Sequence, residues 1–166
     1  MAKFTGAKGV ANIFIGTAFS DTMAGNDLND DLRGGNGDDF ILGNGGNDSI
    51  RGQDGLDTLY GGAGNDTISA GNGNDFLSGD AGSDVLIGGL GLDTFAFNVK
   101  VGLLGNGVDT VTDFVLGTDS LSIANGSSSN VTFVQDGADI DVFYSGTQIA
   151  TLLNEVYTGT AADYFV

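Results

Sequence analysis

The sequence predicts an all-β protein in which short parallel strands coil into a stack, followed by a C-terminal β region. Two observations carry this prediction. Residues 16–96 divide without insertion into nine nonapeptides, and residues 108–154 alternate apolar and polar side chains between Gly-, Asn- and Ser-rich turns. We therefore expect an N-terminal cap at residues 1–15, the repeat block at 16–96 and a C-terminal β cap at 97–166.

The nonapeptides share three positions. The fourth residue is Gly in all but the first two repeats, which have Phe19 and Leu28 instead. The sixth residue is always Asp, and these residues are Asp21, Asp30, Asp39, Asp48, Asp57, Asp66, Asp75, Asp84 and Asp93. The eighth residue is always apolar. Such regularity indicates one structural unit repeated in tandem.

Each nonapeptide reads as a Gly-rich turn followed by a three-residue strand. Glycine lets the turn adopt positive φ angles, and one apolar side chain between two others makes a short strand with one buried face. Two nonapeptides then form an 18-residue coil, and stacked coils place the eighth positions in two interior columns. One column contains Met23, Ile41, Leu59, Leu77 and Phe95, and the other contains Leu32, Ile50, Ile68 and Leu86.

The composition excludes several classes of function. The 166 residues include 22 acidic and 5 basic side chains, for a net charge of −17, and contain no Cys and no His. A disulfide framework, a zinc site with Cys or His ligands, a thiol nucleophile and a Ser-His-Asp triad are therefore excluded. The charge opposes binding to nucleic acid, and no apolar run reaches the ~20 residues of a membrane span. We expect a protein that is not an enzyme.

The repeat block needs a cation. It contains 14 Asp and 2 Arg, a net charge of −12, around a thin core. Calcium fits best, because it accepts six to eight oxygen ligands from carboxylates and carbonyls in tolerant geometry. Each turn faces the turn two repeats later, so nine repeats leave at most seven intervening sites, and those with Phe19 or Leu28 are less well formed. We expect about five to seven Ca²⁺ ions and a disordered chain without them.

The block resembles the RTX (repeat-in-toxin) family, whose nonapeptide reads GGxGxDxUx, over 81 of the 166 residues. The resemblance implies a parallel β-roll that binds calcium between its turns and folds after export from a low-calcium cytoplasm. It also implies that the sixth-position Asp residues provide carboxylate ligands. Turn residues would complete the ligand shell, mainly through their carbonyls: Gly34, Asn36, Gly43, Gly45, Gly52, Asp54, Gly61, Gly62, Ala63, Gly64, Ala70, Gly71, Asn72, Gly73, Gly79, Ala81, Gly82, Gly88, Gly89, Leu90 and Gly91.

This sequence departs from the family pattern at several turns. Ala70 occupies a first position, where the family has Gly. Five second positions also lack Gly, which predicts stiffer turns that still bind metal: Thr17, Asn26, Asn44, Gln53 and Asp80.

Two features of the C-terminal region also resemble RTX proteins. The stretch from Asp109 to Phe114 is similar to the segment that caps the roll after the last repeat, here expected as a β-sandwich-like cap. The chain ends Ala162-Asp163-Tyr164-Phe165-Val166, which resembles the uncleaved C-terminal signal of type I secretion substrates. The resemblance thus implies a secreted protein, extracellular or at the cell surface, that uses the type I secretion machinery.

One face of the predicted roll is more apolar than the repeat requires, with Phe40, Leu42, Tyr60 and Phe76 pointing outward. Either the C-terminal region covers this face, or the face is a docking surface for self-assembly into a homo-oligomer or filament. The first function that we expect is an extracellular structural or interaction protein of a matrix or surface layer. The alternative is the calcium-dependent folding and secretion module of a larger type I-secreted enzyme.

Overall fold

A computed structural model gives the structure of residues 1–98, 107–124 and 131–154. These residues form strands and turns, and no helix in them is long and apolar enough to cross a membrane. Their strands are β1 (Lys3–Thr5), β2 (Ile13–Ile15), β3 (Thr22–Ala24), β4 (Asp31–Asn36), β5 (Phe40–Gly45), β6 (Ser49–Asp54), β7 (Thr58–Ala63), β8 (Thr67–Asn72), β9 (Phe76–Ala81), β10 (Val85–Leu90), β11 (Thr94–Asn98), β12 (Asp109–Val111), β13 (Ser120–Ala124), β14 (Val131–Asp136), β15 (Asp139–Tyr144) and β16 (Thr147–Leu152).

Strands alternate along the chain between two sheets. The first sheet has the order β1-β3-β5-β7-β9-β11-β13, and the second has the order β14-β15-β16-β12-β10-β8-β6-β4-β2. Within the repeats, neighbouring strands are parallel and pair residues 18 apart, such as Ile50 with Ile68. This register places identical repeat positions above one another, and it confirms the predicted all-β parallel β-roll.

The strands inside the roll are longer than the three residues that the repeat predicts. Six-residue strands such as β6 and β8 also pair Gln53 with Gly71 and Asp54 with Asn72, which belong to the following turns. The ladder extends because the turns themselves stack in register, so their backbone groups meet the turn above. Each turn is thereby held to its neighbours by backbone hydrogen bonds.

The core consists of the two predicted columns. All nine eighth-position side chains are fully buried, from Met23 at one end to Phe95 at the other. Phe4 and Phe14 extend the columns towards the N-terminus, where their rings contact each other with centroids 5.6 Å apart. Val111 and Leu121 extend them towards the C-terminus and are also fully buried. The core is therefore one continuous double column that is longer than the repeat block.

The sheets cross both predicted domain boundaries. Strands β1 and β2 pair in parallel with β3 and β4, so the predicted N-terminal cap forms the first turn of the roll. Strands β12 and β13 pair in parallel with β10 and β11 beyond residue 96. The antiparallel strands β14–β16 then join the second sheet through the pairing of β16 with β12. The predicted secretion signal at residues 162–166 lies outside the described residues.

The outward apolar side chains form a row on the first sheet. The ring of Tyr60 lies between those of Phe40 and Phe76, with centroid distances of 5.9 and 5.6 Å. The described C-terminal strands β14–β16 belong to the second sheet, and Phe40 keeps 39% of its surface exposed. Among the described residues, therefore, the C-terminal strands do not cover this row.

Candidate calcium-binding sites

The sixth-position aspartates form two ladders along the turns. The backbone N–H of each Asp donates to Oδ1 of the Asp two repeats later, over distances of 2.7–3.0 Å within the repeats. The side chains are buried because they point under the turns and not into solvent. One ladder comprises Asp21, Asp39, Asp57, Asp75 and Asp93, and the other comprises Asp30, Asp48, Asp66 and Asp84.

The second carboxylate oxygen has no hydrogen-bond partner in seven of these residues. Each of these Oδ2 atoms is buried from solvent, and the seven residues are Asp39, Asp48, Asp57, Asp66, Asp75, Asp84 and Asp93. A buried charge without a partner costs several kcal/mol, so a row of them requires compensation. The ladder therefore creates a series of positions that require a cation.

The first residue of each turn lies against its own aspartate. A Cβ built on Gly52 would overlap Oδ2 of Asp57, and it would lie 2.7 Å from the carbonyl oxygen of Ala70 in the turn above. The same arrangement occurs at Gly61, between Oδ2 of Asp66 and the carbonyl of Gly79. A side chain at Gly52 or Gly61 would fill the space where oxygens from two stacked turns converge, although the seventh repeat has the small, fully buried Ala70 at this position.

In repeats 3–9 the second position of the turn is left-handed whether or not it is glycine. Gly62 has a φ of 111°, and Asn44, Gln53 and Asp80 have φ angles of 78°, 87° and 68°. These three departures from glycine thus keep the turn geometry, at a cost of about 1–2 kcal/mol for a side chain in this region, whereas the second positions of the first two repeats have no positive φ. The Asn44 amide recovers part of this cost by donating to the Gly25 carbonyl at 3.0 Å.

The third-position carbonyls accept backbone hydrogen bonds from the turn below. Those of Asp54, Ala63, Asn72, Ala81 and Leu90 accept a hydrogen bond of 2.7–2.9 Å from a fourth-position N–H of the turn below. A carbonyl oxygen can accept twice, so this bond leaves capacity for a cation. The structure therefore brings together the carboxylates and the first-position turn residues that the sequence singles out, and it stacks the third-position carbonyls on the turn below.

The donor set fits calcium. Among the described residues no three acidic side chains converge on one point, so a cation between the turns must take most of its ligands from backbone carbonyls. Calcium accepts such mixed, oxygen-only shells, whereas zinc needs nitrogen or sulfur ligands and magnesium needs stricter octahedral geometry. The chain has no His and no Cys to offer.

Comparison with known families agrees with this geometry. Four overlapping copies of the RTX calcium-binding nonapeptide repeat match residues 10–41, 24–59, 42–77 and 60–95, which together exceed half of the chain. The chain belongs to this RTX repeat family. No curated protein matches the chain.

Two solved structures are similar to the RTX chain. The extracellular lipase LipA of Serratia marcescens is 19% identical with a TM-score of 0.42, and the match covers 96% of this chain and 40% of the lipase. The AlgE6R3 subunit of the Azotobacter vinelandii mannuronan C5-epimerase is 23% identical with a TM-score of 0.40, and the match covers 97% of this chain and 82% of that subunit. The chain thus spans less than half the length of the lipase.

The first two RTX repeats differ from the others at the second carboxylate oxygen. Oδ2 of Asp21 accepts the backbone N–H of Thr17 at 2.7 Å and its hydroxyl at 2.9 Å. Oδ2 of Asp30 accepts the N–H of Asn26 at 2.7 Å. These turns therefore satisfy their carboxylates with protein donors, and the assignment of Asp21 and Asp30 as calcium ligands stays a prediction.

The pKa values of the sixth-position aspartates also differ between the first repeat and the repeats with an unpartnered Oδ2. The Ala2 N–H, which donates to Asp21, lowers the pKa of that carboxyl below its usual 3.8. Burial raises the pKa of Asp57 and of Asp66 to about 7, and that of Asp48 and of Asp93 to about 6. The central carboxylates are thus the ones that a bound cation has to stabilise.

The sequence analysis missed a second ladder, on the fifth position of the RTX turns. Asn29, Asn47 and Asn65 each accept, at their side-chain oxygens, the backbone N–H of the fifth residue two repeats later, at 2.8–2.9 Å. The recurrent Asn at this position is the signal that could have indicated it. This ladder ties the solvent side of the turns together, as the aspartates tie the buried side.

Acidification should partly replace calcium in the metal-free RTX roll. Because burial raises the pKa of Asp57 and of Asp66 to about 7, the folded metal-free chain binds more protons than the unfolded chain between about pH 4 and 7. Its stability is therefore present at low pH and is lost as pH rises through about 7, so we expect β structure in chelator to increase from about pH 7.5 to about pH 5.5. Circular dichroism measures this. A β content in chelator that stays constant or falls on acidification contradicts the predicted direction of this pH dependence.

Proposed function

We propose that this chain is a secreted calcium-binding protein whose β-roll folds when it meets calcium outside the cell and then acts as an extracellular structural or interaction protein. The observation that supports this is the row of seven buried, unpartnered carboxylate oxygens. In a low-calcium cytoplasm these charges oppose folding and keep the chain extended for export by the type I secretion machinery. Outside the cell, bound calcium supplies the positive charge that compensates these carboxylates. RTX repeats are typical of secreted proteins.

The proposed ions lie between a turn and the turn two repeats later. Each would take Oδ2 of the lower aspartate, as at Asp57, and carbonyls of the upper turn, as at Ala70. Repeats 3–7 are the ones that face another regular repeat above an unpartnered Oδ2, which gives about five calcium ions inside the repeat block. Their charge would nearly neutralise the −12 of the block.

We propose further that the chain itself is not catalytic. It has no His and no Cys, and the carboxylates that come close together are buried beneath the turns. Calcium here supplies charge compensation that orders the backbone. Calcium-dependent turnover of a polysaccharide or peptide that depends on a single Asp outside the repeats would contradict this.

The row formed by Phe40, Leu42, Tyr60 and Phe76, which we call the aromatic face, supports an interaction role. Three of these residues, Phe40, Leu42 and Tyr60, line a surface depression of about 330 Å³ together with Asn44. In the metal-free chain, the net charge of −17 keeps molecules apart. Calcium removes most of the charge of the repeats and orders this face at the same time, so binding would promote self-association.

The double variant Phe40→Ser, Phe76→Ser should abolish calcium-dependent self-association. We expect light scattering to show oligomers or filaments of the unmodified chain in calcium and monomers of the variant, with unchanged circular dichroism. Val85→Ser, Ile87→Ser is the matched control, because it removes two half-buried apolar side chains from β10 on the opposite sheet. It should leave assembly intact. A chain that is strictly monomeric in calcium at high concentration contradicts the assembling role.

The second candidate function is a calcium-dependent folding and secretion module of a larger type I-secreted enzyme. The specific observation that favours it is the N-terminal end of the roll, where β1 and β2 are the edge strands of the two sheets. Within β2, Ile13 and Ile15 are 72% and 62% exposed. A further turn or domain stacked on this end would pair with both edge strands. Monomeric behaviour in calcium would favour this candidate.

A further inference from the structure

Both arginines of the chain lie side by side on the outer surface of the second sheet. Arg33 in β4 pairs in register with Arg51 in β6, and both side chains point away from the core. Like charges directly opposite each other destabilise a sheet. Asp31 forms ion pairs with both, at 2.6 Å to Arg33 and 3.0 Å to Arg51, so one positive charge remains in excess. This cluster is a positive patch on a chain with a net charge of −17.

Apolar side chains adjoin the arginines on the edge strand of the same sheet. Ile15 in β2 pairs in register with Arg33, and Ile13 pairs with Asp31. Both isoleucines are largely exposed, and the side chains of Arg33 and Arg51 are 41% and 48% exposed. We call Ile13, Ile15, Asp31, Arg33 and Arg51 the arginine face.

The aromatic face on the first sheet has the complementary character. Asp80 lines the depression beside Phe40, Leu42 and Tyr60. Oδ1 of Asp80 accepts the hydroxyl of Ser78 at 2.8 Å. Strands β5, β7 and β9, which form this face, contain no Lys or Arg, and Asp80 has no ion pair among the residues that the structure describes. Aromatic rings and an uncompensated carboxylate are the groups that a guanidinium binds.

The two faces match in spacing and lie on opposite sides of the roll. The aromatic face spans three neighbouring strands of the first sheet, and the arginine face spans β2, β4 and β6, three neighbouring strands of the second. Parallel strands in both sheets are about 4.8 Å apart, so the rows of side chains have the same repeat distance. Strand β10, which carries the control substitutions Val85→Ser and Ile87→Ser, lies outside both faces.

We propose that the aromatic face of one copy binds the arginine face of a second copy. The guanidinium groups of Arg33 and Arg51 keep their edges for Asp31 and stack their planes on the aromatic rings, where Asp80 supplies the opposite charge. The exposed isoleucines pack against the same rings. This inference rests on the proposed calcium-dependent self-association and names the surface that the aromatic face meets.

The contact joins unlike faces and therefore builds a filament. Two aromatic faces would bring Asp80 of one copy to Asp80 of the other, and two arginine faces would bring their excess positive charges together, so contacts between like faces are opposed. A contact between different surfaces on opposite sides of a molecule leaves one free face at each end of the assembly. Each added copy thus creates the binding site for the next.

Loss of the arginines should abolish assembly. We expect Arg33→Gln, Arg51→Gln to stay monomeric by light scattering in calcium, with unchanged circular dichroism, while the unmodified chain forms filaments. Lys3→Gln, Lys8→Gln is the matched control, because it lowers the net charge by the same two units at exposed side chains outside both faces. It should assemble like the unmodified chain. Assembly of the arginine variant overturns the contact, and so does loss of assembly in both variants, since net charge would then be the cause.

Mixing two variants tests whether unlike faces meet. Phe40→Ser, Phe76→Ser keeps only the arginine face, and Arg33→Gln, Arg51→Gln keeps only the aromatic face. Each should be monomeric alone, and an equimolar mixture in calcium should form a 1:1 dimer with twice the 16.8 kDa mass of the chain. Size-exclusion chromatography with light scattering measures this mass. A mixture that stays monomeric, or that forms filaments, overturns the contact.

A single variant covers failure of the double arginine variant to fold. Arg51→Gln leaves both hydrogen bonds from Arg33 to Asp31 in place. It should raise the protein concentration needed for assembly about tenfold, because one desolvated cation–π contact is lost. An unchanged concentration, or failure of this variant to fold as well, shows that the proposed contact is wrong.

The proposed function and the proposed contact fail in different ways. If the unmodified chain stays monomeric in calcium, the assembling role is contradicted and the contact with it. If the unmodified chain assembles and Arg33→Gln, Arg51→Gln assembles equally well, the assembling role stands and the contact alone is wrong.

Discussion

Removal of calcium should unfold the β-roll completely. Seven carboxylate oxygens are buried without partners, and a buried unpaired charge costs several kcal/mol, so their sum exceeds the ~5–15 kcal/mol that stabilises a typical domain. We expect far-UV circular dichroism to show little ordered structure in chelator and a β spectrum in millimolar calcium. Size-exclusion chromatography should show a matching decrease in hydrodynamic radius.

Magnesium is the control for this experiment. It offers the same charge but requires octahedral geometry and keeps its waters, so it should not restore the β spectrum at equal concentration. A roll that stays fully folded in excess chelator at neutral pH contradicts calcium-dependent folding. Recovery with magnesium would mean that charge alone, without the ligand geometry of the turns, is sufficient.

Asp66→Asn should destabilise the calcium-bound protein far more than Asp21→Asn. Both residues belong to the aspartate ladders, but Oδ2 of Asp66 has no protein partner while Oδ2 of Asp21 accepts two hydrogen bonds from Thr17. We expect Asp66→Asn to lower the free energy of unfolding by about 3–5 kcal/mol, as removal of one partner from a buried charge pair does. The loss for Asp21→Asn should be about 1 kcal/mol.

Urea denaturation in saturating calcium measures both losses, and calcium titration by circular dichroism gives the shift in the midpoint. Asn keeps the shape of the side chain and one acceptor oxygen, so the comparison isolates the charge. Equal losses for the two variants would show that the ladder hydrogen bonds, and not bound ions, hold the roll together.

The regular part of this fold could be predicted closely from the sequence. The period of nine fixes which residues share a column, and all nine predicted core side chains are buried. The strands proved longer because stacking of the turns, which depends on the register of whole coils, adds ladder pairs such as Gln53 with Gly71. The φ of 87° at Gln53 shows that the stack imposes the turn geometry against the local preference of the residue.

The candidate calcium sites could likewise be predicted only in part from the sequence. The sixth-position aspartates were identified by their recurrence, but the sequence could not show which would keep an unpartnered oxygen. That difference depends on whether a backbone N–H, such as that of Thr17 or Asn26, turns towards the carboxylate. Asp109 was missed as a ladder residue because it follows Asp84 by 25 residues instead of 18, while the strand pairing of β12 with β10 restores the register.

The constant separation of 18 residues between paired strands has a kinetic consequence. Each additional strand pair closes a loop of the same 18 residues, so the entropic cost of loop closure per pair does not increase as the roll extends. Contact order therefore stays low for a parallel β architecture, which otherwise folds slowly through distant pairings. Once one coil has formed, it acts as a nucleus from which folding propagates coil by coil in either direction. A chain that emerges gradually into calcium could thus fold as it arrives, without waiting for its other end.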